Sequence, residues 1–66
     1  MMNTTLTMEE KEEMVVARFA EMMEADGYNA WYECEDAWEG YEDRMIKEGF
    51  DEEAVFNVFN EMAMDL

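Results

Sequence analysis

Tyr28 to Asp43 reads Y-N-A-W-Y-E-C-E-D-A-W-E-G-Y-E-D, and the rest of the chain is organised around it. The stretch holds five of the nine aromatic residues and six acids, and no Lys or Arg occurs between Arg18 and Arg44. Read as an α-helix, it has two ribs. Trp31, Cys34, Trp38, Tyr41 and Met45 recur at steps of three and four residues and share an apolar face. Glu35, Asp36, Glu39, Glu42 and Asp43 fall on the opposite face. With a rise of about 1.5 Å per residue, successive carboxylates on that rib stand roughly 4.5–6 Å apart. Phosphates on a strand rising 3.4 Å per nucleotide while winding are spaced by roughly 6–7 Å, a similar scale.

Outward from this stretch, two further helices are expected. Upstream, Thr7 and Glu10 form a T-x-x-E capping box, and Glu9, Glu10, Glu12 and Glu13 crowd the first turns, where the helix dipole favours negative charge. Val15, Val16, Phe19, Ala20, Met22 and Met23 supply the apolar face, and the helix runs from Met8 to about Asp26, with Gly27 as its C′ residue. Helix 2 is predicted as one piece from Ala30 to about Glu48, capped by Asn29 and closed by Gly49. Gly40 lies inside it, at a cost of roughly 1 kcal/mol relative to Ala. A tolerated site or slight kink is the favoured reading, with close approach of another backbone or a break at Gly40 as the alternatives. Downstream, Asp51 is an N-cap flanked by Phe50 and Val55 as a hydrophobic staple. Val55, Phe56, Phe59, Met62, Ala63 and Leu66 are expected as the apolar face of helix 3. No stretch alternates with period two. The expectation is an all-α fold, a small three-helix bundle or an open three-helix arrangement, as one acidic domain over residues 1–66 with residues 1–6 a flexible tail.

Composition narrows the function. Nineteen acids against four bases give a net charge of −15 on 66 residues. Half of the residues are apolar, which separates the chain from charged disordered segments. The charge works against compactness and makes nucleic acid and anionic membranes poor partners, whereas a basic protein surface is a good one. Without His or Ser, neither a hydrolase triad nor a His proton shuttle is available, so the chain is read as non-enzymatic. No cofactor is expected. No metal site is expected either: the EF-hand order is missing around Asp26-Gly27, and His is absent. Cys34 lies on the apolar rib between Glu33 and Glu35, so it reads as a buried small hydrophobe rather than a nucleophile. The lone thiol and the absence of a signal-like or membrane-spanning run point to a soluble protein of the cytoplasm, the host's if the chain is viral.

The candidate partner-binding residues are Glu24, Asp26, Tyr32, Glu33, Glu35, Asp36, Glu39, Glu42 and Asp43. An ordinary solvated helix mixes signs at i,i+4, and this one has no base to relieve its acids. Trp31 and Trp38 are read as core, while Tyr32 is divided between core and interface.

Two resemblances bear on this reading. E-G-F-D-E-E-A-V, Glu48 to Val55, resembles the helix-loop-helix corner of ubiquitin-associated domains, but Gly capping and the staple account for it equally, and Glu48 stands where that family usually has Met. The whole chain resembles, in size and in the charge carried by Glu33, Glu35, Asp36, Glu39, Glu42 and Asp43, the small acidic helical phage proteins that mimic DNA, including anti-restriction and anti-CRISPR proteins. That resemblance implies an inhibitor that occupies the nucleic-acid-binding surface of a defence complex such as a CRISPR effector or restriction enzyme. The alternative is a regulatory module that binds a host transcription or replication protein, or an effector subunit, away from its nucleic-acid site through residues such as Tyr32, Met22 and Phe56. The Trp31–Met45 rib has heptad spacing but, at under three heptads, is too short for a free-standing coiled coil; a homodimer built on the bundle is left open.

Overall fold

A computed structural model describes residues 6–66, so all but the last residue of the expected tail over 1–6 lies outside the described residues. Three α-helices pack together, α1 (Met8–Ala25), α2 (Trp38–Lys47) and α3 (Glu52–Met64), and a 3₁₀ segment, Trp31–Ala37, leads into α2. There is no strand among the described residues. The all-α three-helix arrangement is therefore as expected.

Local chemistry explains where the helices start and stop. The Thr7 hydroxyl accepts from the Glu10 N–H while the Glu10 carboxylate accepts from the Thr7 N–H, a complete capping box. Asp51 accepts from the Ala54 N–H at 3.0 Å and opens α3. The two interhelical turns repeat one device. The N–H of Gly27 donates to Glu24 and that of Tyr28 to Met23; the N–H of Gly49 donates to Ile46 and that of Phe50 to Met45. Both are Schellman turns, and both need a left-handed residue, supplied by Gly27 at φ 87° and Gly49 at φ 102°. In each, an aromatic residue follows the glycine and packs against the core, fixing the exit direction of the chain.

The prediction of one continuous helix from Ala30 to Glu48 is corrected. The chain runs as a 3₁₀ segment to Ala37, with Cys34 at φ −107° and ψ 26°, and becomes α-helical only at Trp38. The break therefore falls at Cys34, not at Gly40. Asn29 does not cap with its side chain; its backbone N–H donates to Glu33, and Ala30, which has no capping group, precedes the segment. The Trp31 carbonyl accepts from the Trp38 indole and from the Cys34 thiol, each at 3.2 Å. The Trp31 and Trp38 rings stack with centroids 6.0 Å apart. The backbone turns at Cys34, between the two stacked indoles.

The core joins Val15, Phe19 and Met22 of α1, Cys34, Trp38, Tyr41 and Met45 of the middle section, and Ala54, Val55, Val58 and Phe59 of α3. Phe19 lies at its centre, edge-on to Tyr41 at 5.7 Å and to Phe59 at 5.3 Å. The apolar rib of the middle section is thus core, as its spacing predicts, with Trp31 half-buried at the end. The face predicted for α3 is rotated. Ala54 and Val58 are buried, whereas Phe56, Ala63 and Leu66 are exposed. Val16 of α1 is likewise half open, at 52%.

Candidate functional site

The ion pairs of the fold consume few of its acids. Arg18 grips Glu48 through two nitrogens, at 2.9 and 2.7 Å, and also reaches Glu21; Lys11 pairs with Asp51 at 3.1 Å. These contacts tie α1 to the turn before α3. The guanidinium holds the Glu48 carboxyl below the usual range, and the Ala54 N–H followed by Lys11 does the same for Asp51. Among the described residues only three of the nineteen acidic side chains, Glu21, Glu48 and Asp51, have a basic partner, and sixteen have none.

None of the acids predicted to bind a partner is among the three with an ion pair. Glu24, Glu35, Asp36, Glu39 and Asp43 are exposed, with no hydrogen bond from another described side chain. Asp26 and Glu33 are exposed but carry structural duties. Asp26 caps α1 and accepts the Tyr41 hydroxyl, and Glu33 accepts the Asn29 N–H. Glu42 is half-buried, on the edge of a shallow depression shared with Trp38, Phe56 and Asn57. Burial first, then Asp43 and Glu39, pushes its carboxyl above the ordinary value. Tyr32 is 58% exposed, its ring edge-on to Trp31.

The single carboxylate rib is corrected by the kink. Glu33, Glu35 and Asp36 belong to the 3₁₀ segment, where the rise is about 2.0 Å and the turn closes in three residues. Glu39, Glu42 and Asp43 belong to α2. The acids form two groups on consecutive elements rather than one straight α-helical ladder, so the even spacing of roughly 4.5–6 Å does not run the whole length. The Met22 contact named for a regulatory module is also corrected, because Met22 is 2% exposed and belongs to the core.

Sequence reasoning missed one further feature. An apolar groove of about 970 Å³ lies between α1 and α3, with Trp31 at its edge. Its signal was present in Val15-Val16: adjacent residues on a helix differ by about 100°, so both do not point to one core. Among the described residues no group of three or more Asp, Glu, Cys or His side chains is arranged to hold a metal ion. Nor is any described helix long and apolar enough to cross a membrane.

Fold and surface together define a class, a small all-α domain whose charge is concentrated outside its ion pairs. The chain matches no family model, no curated protein and no solved structure.

Proposed function

We propose that this chain is a non-enzymatic inhibitor that occupies the basic, nucleic-acid-holding surface of a partner protein. The observation that carries the reading is the run of exposed, unpaired carboxylates Glu35, Asp36, Glu39 and Asp43 on a framework without a base between Arg18 and Arg44. Desolvated Lys and Arg side chains of a phosphate-binding groove would find acceptors there, and the −15 charge would steer and accelerate encounter. The likeness to phage DNA mimics extends the proposal to a defence complex, a CRISPR effector or restriction enzyme, as the target.

The test captures the tagged chain's partners from a lysate rich in nucleic-acid-binding machines and titrates the captured complexes with nucleic acid at two salt concentrations. Mutual exclusion, weakened by salt, is expected. Replacing Glu35→Lys, Asp36→Lys, Glu39→Lys and Asp43→Lys together should abolish inhibition while leaving the circular dichroism unchanged. Asp26 and Glu42 are left out of that variant because the fold uses or partly buries them. Full inhibition by the charge-reversed chain sinks the proposal. The exposed rings of Tyr32 and Phe56 support the second reading, a regulatory module bound away from the nucleic-acid site. Simultaneous binding of the chain and nucleic acid to one target would select it.

A further inference from the structure

We propose that the groove between α1 and α3 is a docking site for a cationic amphipathic helix of a partner protein. The proposal concerns a different face from the eight candidate carboxylates above and does not rest on their role, because neither they nor Tyr32 line the groove.

The walls of the groove are apolar. Val16, Ala17 and Ala20 of α1 face Val58 and Met62 of α3, and Trp31 stands at the edge. The two alanines create the depression, since larger residues there would fill it. Val16 is 52% exposed, an apolar side chain that the described chain leaves half open. Met23 and Met62 add unbranched, adaptable side chains that mould to an occupant. Two neighbouring helices with such a furrow offer the seat that a third helix fills, its anchors recurring at i, i+3, i+4 and i+7.

The rim specifies the sign of the occupant. Glu9 and Glu13 of α1 and Glu61 and Asp65 of α3 and its C-terminal cap line the groove, and no described Lys or Arg does. None of these four has an ion pair among the described residues. Glu12, also on the lining, accepts from Asn57 at 3.2 Å and is partly used. A helix with an apolar stripe flanked on both sides by Lys or Arg would bury the stripe and neutralise both rims. A second copy of this chain fits poorly, because each copy carries −15.

The probe is a synthetic Leu/Lys peptide as long as α1, 18 residues, with leucines on one helical stripe. A scrambled peptide of identical composition is the control. Calorimetric titration at two salt concentrations should give saturable one-to-one binding of the patterned peptide and at least tenfold weaker binding of the scrambled one. The double replacement Val16→Asn and Ala17→Gln, both at exposed positions and neutral in charge, should weaken binding at least tenfold. Neutralising Glu35, Asp36, Glu39 and Asp43 to Gln or Asn should change it less than threefold at the higher salt. Amide shifts of the unmodified protein should cluster on α1 and α3, a readout independent of whether any variant folds. Equal binding of both peptides, shifts centred on α2, or a dimer in sedimentation that the double replacement dissociates would each overturn the proposal.

Discussion

Tyr41 shows how closely structure and surface charge are joined in this chain. Its ring is 3% exposed and packs against Phe19, while its hydroxyl donates to Asp26, the residue that ends α1. Burial and then the neighbouring carboxylate raise the phenol well above its usual range, so it stays protonated and remains a donor. Hydrogen bonds to charged acceptors contribute about 1.5–3 kcal/mol, and the exposure of Asp26 places this one near the lower end. Tyr41→Phe should therefore cost about 1–2 kcal/mol in urea unfolding followed by tryptophan fluorescence. In an Asp26→Ala background the same replacement should be neutral or stabilising, because the phenol has then already lost its partner. Equal costs in both backgrounds would remove the bond from the account of stability. Met45 offers a contrasting case. It is fully buried, and Met45→Ala should cost about 2–5 kcal/mol, against a total of about 3–10 kcal/mol for a chain of this length.

At the scale of elements, the two glycines of the middle section make opposite predictions. Gly40 lies in α2, and a β-carbon built on it meets nothing within 4 Å. This excludes close approach of another described backbone and leaves only the conformational cost of a mid-helix glycine. Gly40→Ala should stabilise by about 0.5–1 kcal/mol, and thermal melting would show it as a rise of about 2–8 °C. Gly49→Ala places a side chain at φ 102° and should destabilise by about 1 kcal/mol or more. The caps and both glycine turns were legible in the sequence, because each depends on a few adjacent residues. The apolar rib was legible too, since periodicity places Cys34, Trp38, Tyr41 and Met45 on one side whether or not the first turn is tight. The 3₁₀ segment was not. It is held by Trp38 and Cys34 donating to the Trp31 carbonyl and by one indole stacking on another, side-chain contacts that neither helix propensity nor apolar periodicity encodes. The rotation of α3 escaped for a related reason. Val55, Phe56, Val58 and Phe59 offer two overlapping apolar faces, and only packing against α1 and α2 selects the one containing Val58. The exposed acids of the candidate surface were readable one by one, but their division into two groups depended on that same kink.

For the molecule as a whole, charge sets the response to solvent. Glu42 binds its proton more tightly in the fold than its ordinary value of 4.5. Its ionised form is therefore a burden at neutral pH that is relieved as pH falls through the raised value and is gone below the ordinary 4.5. Glu48 and Asp51 run the other way. Their stabilisation is present above the ordinary 4.5 and 3.8 and is lost as pH falls through their lowered values. The melting temperature should rise as pH falls from neutral towards the ordinary 4.5 of Glu42, then fall on further acidification as Glu48 and Asp51 take up protons. Glu42→Gln should flatten the rise and lift the neutral-pH midpoint by about 2–4 °C, because it removes a partly buried charge and its repulsion from Asp43 and Glu39, about 0.5 kcal/mol in total. A melting temperature that falls steadily from neutral pH downward would contradict this assignment. Cys34, buried completely and the only thiol in the chain, adds a clock to this balance. Burial keeps it protonated as well as hidden, so an alkylating reagent reaches it only when the bundle opens. The rate of modification counts opening events, and any ligand that holds the three helices together must slow it in proportion to its own occupancy. A mass spectrum therefore ranks partners for either face of the molecule, with no dye and no tag, wherever on the bundle they bind.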